Sequence, residues 1–251
     1  MQIENEGRGV EIKVLYEDED MLVIDKPSGI LVHNDGRSDE KTVVDWFLDR
    51  MPSARGVGEP GNAQDGTPLE RSGVVHRLDK DTSGVLVLAK TQDAFTHLKE
   101  QFHDRHVQKE YHACVYGTMK ERWGTIDRAI GRSPRDFRLR SAERGARGLL
   151  REAKTDWEVL SQSQTHAYLK VLPKTGRTHQ IRVHLKALSR PIVCDELYAP
   201  TDFLKKDSLG FTRLALHAYR ITIATPKGVI KSFTADLPLD FKTAIETIAT
   251  I

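Results

Sequence analysis

Five consecutive apolar residues, Val85-Leu86-Val87-Leu88-Ala89, constrain this sequence most. A half-buried strand alternates apolar and polar residues, and a surface helix shows a period near 3.6. A short unbroken run rich in β-branched residues fits a strand covered on both faces. Such a strand needs a neighbour at each edge and a packed layer on each side. The flanking sequence offers both. Residues 10–16 alternate apolar and polar, and residues 21–25 read as another strand. Lys26-Pro27-Ser28-Gly29 is a turn, after which residues 30–33 continue extended. Residues 111–116, 155–160, 166–172 and 214–224 are further strand candidates, with a hairpin turn at Pro226-Lys227-Gly228.

Helical periodicity is confined to a few short stretches. Residues 42–48 place Val43, Trp46 and Phe47 on one face. Phe95, Leu98 and Phe102 share a face, as do Ile181, Leu185 and Leu188 within residues 178–188, and residues 240–250 form a last short helix. Residues 51–72, rich in Gly, Pro and polar side chains, read as a surface loop. Many strands, few helices and no regular βαβ alternation predict an α+β fold around a mixed, mostly antiparallel sheet with flanking helices. At 251 residues, the chain is long enough for one large domain or two small ones.

Composition removes several classes. Hydrophobic residues make up 39% and charged residues 29%, a globular balance. No apolar run approaches the ~20 residues of a membrane helix, and residues 1–6 lack the apolar core of a secretory signal. Cys114 and Cys194 are too few for a disulfide framework or a cysteine zinc cage, and suit free thiols in a reducing cytoplasm. The net charge of +2 hides an asymmetry: residues 101–190 hold 19 Lys/Arg against 9 Asp/Glu. Residues 128–154 alone carry nine basic side chains against Asp136, Glu143 and Glu152. A block of this kind marks either a polyanion partner or a solvated charged face.

Chemistry concentrates in Val75-His76-Arg77-Leu78-Asp79-Lys80-Asp81-Thr82-Ser83-Gly84, between the polar loop and the apolar strand. A carboxylate at a junction of loop and scaffold is well placed for catalysis. Flanking cations, here Arg77 and Lys80, favour a nucleophilic carboxylate. By residue type alone the same segment also reads as a capped turn. Lys109-Glu110-Tyr111 and Gly176-Arg177-Thr178-His179-Gln180-Ile181-Arg182 open a strand and a helix in the basic half. Taken singly, Tyr111 reads as a strand core residue and Arg182 as a surface ion-pair partner.

Together these segments resemble the RluA family of RNA pseudouridine synthases. The resemblance runs from Asp25-Lys26-Pro27-Ser28-Gly29 through the two segments above to Pro191-Ile192-Val193-Cys194-Asp195 and Leu216-His217-Ala218, about residues 10–240. One departure is Cys194, where the family carries Gly and with it a backbone angle that a Cys tolerates poorly. Many relatives add an N-terminal S4 RNA-binding domain; only about ten residues precede the first strand here, so none is expected.

The resemblance implies isomerisation of uridine to pseudouridine within a structured RNA, a stem-loop of ribosomal RNA (large subunit preferred) or of transfer RNA. It implies a cytoplasmic, monomeric enzyme with no cofactor, no metal and no membrane partner. Asp79 would be the nucleophilic carboxylate, Arg182 its cationic partner, and Tyr111 the ring that stacks on the uracil. Ile181 would line the base pocket, and Arg77 would fill the gap left by an extruded base. His76, Thr82, Arg177 and His179 fall in the same segments and are expected beside the substrate. Arg132, Arg135, Arg138 and Arg140, with Arg144 and Arg147, are expected to meet phosphates.

Three rival readings are weaker. A metal-dependent hydrolase would lean on His103 and His106, which fall on a predicted helix near Asp104, but no H-E-x-x-H accompanies them. A Ser83 hydrolase lacks the G-x-S-x-G elbow. A purely RNA-binding module explains the basic half but not Asp79, Tyr111 and Arg182 together.

Overall fold

The computed structural model describes residues 2–5, 8–34, 36, 40–62, 66, 68–136 and 138–250. In chain order the first strands are β1 (Gln2–Asn5), β2 (Arg8–Glu11), β3 (Lys13–Glu17) and β4 (Met21–Lys26). Helix α1 (Val43–Arg50), β5 (Gly61–Asn62), β6 (Pro68–Leu69), β7 (Ser83–Ala89) and α2 (Gln92–His103) follow. Then come β8 (Gln108–Tyr116), β9 (Trp123–Asp127), β10 (Ile130–Arg132), β11 (Arg140–Ser141) and β12 (Arg147–Arg151). Strands β13 (Lys154–Gln162) and β14 (His166–Pro173) precede α3 (Gln180–Ala187) and α4 (Thr201–Leu204). Strands β15 (Leu216–Ala224) and β16 (Ile230–Thr234) and helix α5 (Leu239–Thr250) close the chain. Two compact units emerge: Met1–Gln108 with Ala218–Asp236, and Lys109–His217 with Leu237–Ile251.

In the first unit β7 is the covered strand that its composition demands, with every residue buried. It pairs antiparallel with β4, which pairs antiparallel with β3. On its other side lies β15, with β16 antiparallel beyond it. Val85, Val87 and Ala89 pack with Met21, Val23, Ile221, Ile223 and Phe233 against Phe95 and Leu98 of α2. Leu86 and Leu88, opposite by alternation, are equally buried. Burying each such side chain contributes about 1.5–3 kcal/mol.

Four sequence expectations need correction in this unit. Residues 10–16 are not one strand: Ile12, buried, interrupts them, so β2 pairs with β1 and β3 with β4. Residues 30–33 are not extended strand. The Leu31 and Val32 carbonyls instead accept the N–H groups of Val43 and Val44 at 2.9 and 3.0 Å, filling acceptor roles at the start of α1. Residues 51–72 are not a bare surface loop: they hold the β5–β6 hairpin and bury Ala54, Leu69 and Ser72. Finally, α2 stops at His103 and Arg105 takes a φ of +62°, so His103 and His106 do not share a helix.

In the second unit the sheet order is β8-β14-β13-β9, antiparallel throughout. Ala113, Val115, Leu169 and Val171 of this sheet share one core with Ile181 and Leu185 of α3 and with Phe241, Ala244 and Ile248 of α5. The basic stretch forms a separate three-stranded sheet, β11-β10-β12. A small cluster of Ile130, Ala142, Ala153, Val183 and Tyr198 connects it to α3. The α+β class and the antiparallel predominance read from the sequence are what the structure has.

Candidate active site

In the first unit Asp79 lies half-buried on the loop before β7. Its carbonyl accepts the Thr82 N–H at 3.2 Å, closing a tight turn. The loop is clamped from behind by Lys26, whose side chain is fully buried. Lys26 Nζ donates to the carbonyls of Pro27, Ile30 and Lys80, each at 2.8 Å. Gly29 N–H donates to the Lys80 carbonyl at 3.0 Å, and Ser28 Oγ to that of Asp81 at 2.7 Å. The segments around Lys26 and Asp79, some fifty residues apart, therefore form one clamp. Lys26 is a positioning residue that the sequence pattern alone did not single out.

Gly84 anchors the end of this loop. Its φ is +113°, and a Cβ there would meet the Ala218 carbonyl oxygen at 2.2 Å. Next to it Thr82 is buried, and its hydroxyl has no hydrogen-bond partner among the described residues. A buried hydroxyl left unpaired costs about 1–3 kcal/mol, so water or a ligand atom is its expected partner. His76 is anchored: its ring stacks on Phe102 at 4.5 Å and its Nε2 accepts the Val87 N–H at 3.0 Å. Arg77 is exposed, with Nη1 3.2 Å from His33 Nε2.

In the second unit Tyr111, half-buried on β8, packs against the core that includes Ile181. Lys109, two residues earlier and so on the same face of the strand, donates from Nζ to the Thr175 carbonyl at 3.0 Å. Burial pushes its ammonium down to about 8. Gln180 holds the loop before α3. Its Oε1 accepts from Thr175 Oγ1 and the Arg177 N–H, and its Nε2 donates to the Lys154 carbonyl and Thr155 Oγ1. A buried Gln with four partners has its full complement. His179 sits at the helix start with φ +56°, its Nδ1 2.5 Å from the Tyr198 hydroxyl. Arg177 donates from Nε to the Glu152 carbonyl at 3.0 Å.

Arg182 is buried, not a surface ion-pair partner. Its Nε and Nη2 donate to the two oxygens of Asp195 at 2.9 and 2.7 Å. Its guanidinium lies 5.0 Å from the Tyr198 ring centre. Tyr198 also accepts the Arg140 N–H at 3.1 Å, so one ring joins α3 to β11. Asp195 and Tyr198 escaped the sequence reading as functional positions, although Asp195 closes the Pro-Ile-Val-Cys-Asp segment. Cys194 has φ +57°, the left-handed backbone that a glycine would supply.

The basic sheet places Arg132 and Arg140 on strands, and Arg135 and Arg138 in the connection between them. Arg138 is committed to Asp136, which it grips through Nε and Nη2, holding that carboxyl down to about 2. Among the described residues no group of three or more His, Cys, Asp or Glu side chains is placed to hold a metal, and no helix is long and apolar enough to cross a membrane. The structure thus gathers His76, Arg77, Asp79 and Thr82 in one loop, and Tyr111 with Ile181 in one core. Arg182, His179 and Arg140 meet at Tyr198.

Comparison with known proteins places the chain in a family. A family model described as RNA pseudouridylate synthase matches residues 20–187. An uncharacterized RNA pseudouridine synthase of Synechocystis sp. is 36% identical over 240 residues, covering 94% of this chain and 68% of that protein. Ribosomal large subunit pseudouridine synthase D of Xanthomonas campestris pv. campestris is 41% identical over 225 residues, covering 86% of this chain and 63% of that protein. The chain thus spans about two thirds of the length of these curated relatives. The structure of human RNA pseudouridylate synthase domain containing 4 superposes with a TM-score of 0.71 at 26% identity, covering 94% of this chain and 92% of that one. With its matched segment including the clamped Asp79 loop, Tyr111 and Arg182, this chain belongs to the RNA pseudouridylate synthase family.

Proposed function

We propose that this protein isomerises uridine to pseudouridine in RNA, with Asp79 as the essential carboxylate. The observation that carries the reading is the clamped, half-buried Asp79 loop of a family member, with a buried Thr82 hydroxyl beside it in need of a partner. In the reaction the N1–C1′ bond breaks, the uracil turns, and C5 bonds to C1′ as the C5 proton leaves and N1 gains one. Atoms and electrons balance within the substrate, so the proposal invokes no cofactor.

Asp79 assists glycosidic cleavage, and Arg182 serves the reaction as its essential cation. The Tyr111 ring stacks on the uracil and its hydroxyl serves removal of the C5 proton. Ile181 lines the base site, and Arg77 occupies the gap in the RNA stack, whose opening costs a few kcal/mol. His76, Arg177 and His179 support these groups. The proposed substrate is a stem-loop of large-subunit ribosomal RNA, in keeping with relatives named for that RNA; transfer RNA is the second choice. The protein is proposed to act as a cytoplasmic monomer and as a single catalytic domain.

Tritium release from ribosomal RNA transcribed with C5-tritiated uridine tests the reading. Wild-type protein should release tritium, and Asp79→Asn should release none while retaining RNA affinity. An Asp79→Asn protein with most of its activity intact defeats the assignment. Wild-type binding without release leaves a binding module only.

A further inference from the structure

The three-stranded basic sheet carries two arrangements that its packing does not require. The first is a row of arginines. In the register of the sheet Arg140 is paired with Arg132, and Arg132 with Arg147. Directly paired residues project on the same face, and like charges so placed destabilise a sheet. None of the three forms an ion pair among the described residues, whereas Arg138, in the same stretch, is matched by Asp136. An uncompensated row across three strands spaced ~4.8 Å apart is a seat for a chain of anions.

The second arrangement is a bulge beside that row. Ile130 pairs with Arg151 and Arg132 with Arg147, so Gly131 alone faces Gly148, Leu149 and Leu150. Bulges of this kind re-aim side chains. Gly148 supplies the turn, with φ +72° and open space around it. Leu150 lies across Gly131, where a Cβ would meet Leu150 Cδ2 at 2.7 Å. Leu149 is 77% exposed, between Arg147 and Arg151 on a strand whose five residues are all exposed. An apolar side chain raised by a bulge and framed by arginines matches the wedges that proteins drive between unstacked bases.

We propose that this bulge is an RNA wedge: the Arg140–Arg132–Arg147 row seats the phosphates of one strand, and Leu149 enters between its bases. The proposal rests on the RNA reading above and deepens it. It commits to RNA with unpaired, splayed nucleotides, because only there are base faces open to a side chain.

The test is retention of a large-subunit ribosomal RNA transcript on filters by the full chain across a salt series. Leu149→Ser should weaken binding about tenfold at every salt concentration, with the slope of log affinity against log salt unchanged. Arg147→Gln should instead reduce that slope by about one. Leu149→Met, which keeps an apolar tip, should restore most of the affinity. Because Leu149 is exposed, an unchanged thermal midpoint is expected for each Leu149 variant. Wild-type affinity for the transcript in the Leu149→Ser protein overturns the wedge and leaves the RNA reading standing. Salt-independent binding by the wild type overturns both at once, and tritium release then shows whether the catalytic assignment survives. A Leu149→Ser protein with altered sedimentation but unaltered RNA binding assigns the patch to contacts between copies of the chain, and also overturns the wedge.

Discussion

Arg182 and Asp195 form a two-point ion pair with both residues almost wholly buried, 4% and 1% exposed. Oδ1 of Asp195 also accepts the backbone N–H groups of Leu197 and Tyr198, at 3.3 and 3.2 Å. The carboxylate thus accepts from two arms of Arg182 and two backbone N–H groups, and the guanidinium lies 5.0 Å from the Tyr198 ring centre.

Removing one partner of such a pair strands a buried charge. Asp195→Asn is expected to lower the unfolding free energy by about 3–5 kcal/mol in denaturant titrations. Replacing both partners, Arg182→Met with Asp195→Leu, should recover much of that loss, because apolar side chains of similar volume fill the site without desolvating charge. Tritium release should not recover in the double variant. Restored turnover there would show that Arg182 serves packing and not the reaction.

Cys194 holds a left-handed backbone that costs a non-glycine residue roughly 1–2 kcal/mol. Cys194→Gly relieves this cost but loses apolar contact and the Sγ donation to the Phe211 carbonyl at 3.3 Å. The glycine variant should therefore stay within about 1 kcal/mol of wild type. Cys194→Val adds β-branching to the same backbone and should lose more than about 1 kcal/mol. Thermal melts of the two variants give the order, and a valine protein as stable as the glycine one contradicts it.

Gly84 and Gly148 both have positive φ, but their surroundings differ. A Cβ at Gly84 would lie 2.2 Å from backbone oxygen, whereas nothing lies within 4 Å of one at Gly148. Gly148→Ala should cost about 1 kcal/mol, the backbone term alone. Gly84→Ala forces backbone apart inside the sheet and should exceed about 4 kcal/mol, leaving little soluble protein. Equal soluble yields from the two variants would falsify this account.

His184 and His166 are buried, and desolvation holds both below their usual 6.5. His184 bridges Thr155 Oγ1 and the Arg128 carbonyl, at 2.8 and 2.9 Å. As pH falls through the unfolded value, the unfolded chain binds protons that the folded protein refuses. The stability from these two residues is therefore present above about 6.5 and drains away as pH drops below it. The thermal midpoint should fall between about pH 7.5 and about pH 5.5, and His184→Gln should flatten the slope. A midpoint independent of pH in this window rules the mechanism out.

Elements with a local signal were legible before folding. Strand β7 follows from its composition, α1 from the face shared by Val43, Trp46 and Phe47, and α3 from the spacing of Ile181 and Leu185. The sequence also placed Asp79, Tyr111 and Arg182 in the segments that carry the family pattern. What those residues touch depends on long-range packing. Residues 30–33 have strand composition, yet their carbonyls serve the start of α1, because a free helix N–H seeks an acceptor wherever the chain brings one. Arg182 reads as a surface residue until burial pairs it with Asp195, thirteen positions away. The arginines of the basic stretch look alike in sequence, and register alone sets Arg140, Arg132 and Arg147 in a row while Arg138 turns to Asp136. Periodicity belongs to neighbouring residues and survives in one dimension. Charge compensation, register and burial depend on groups brought together from distant parts of the chain, and exist only once it has folded.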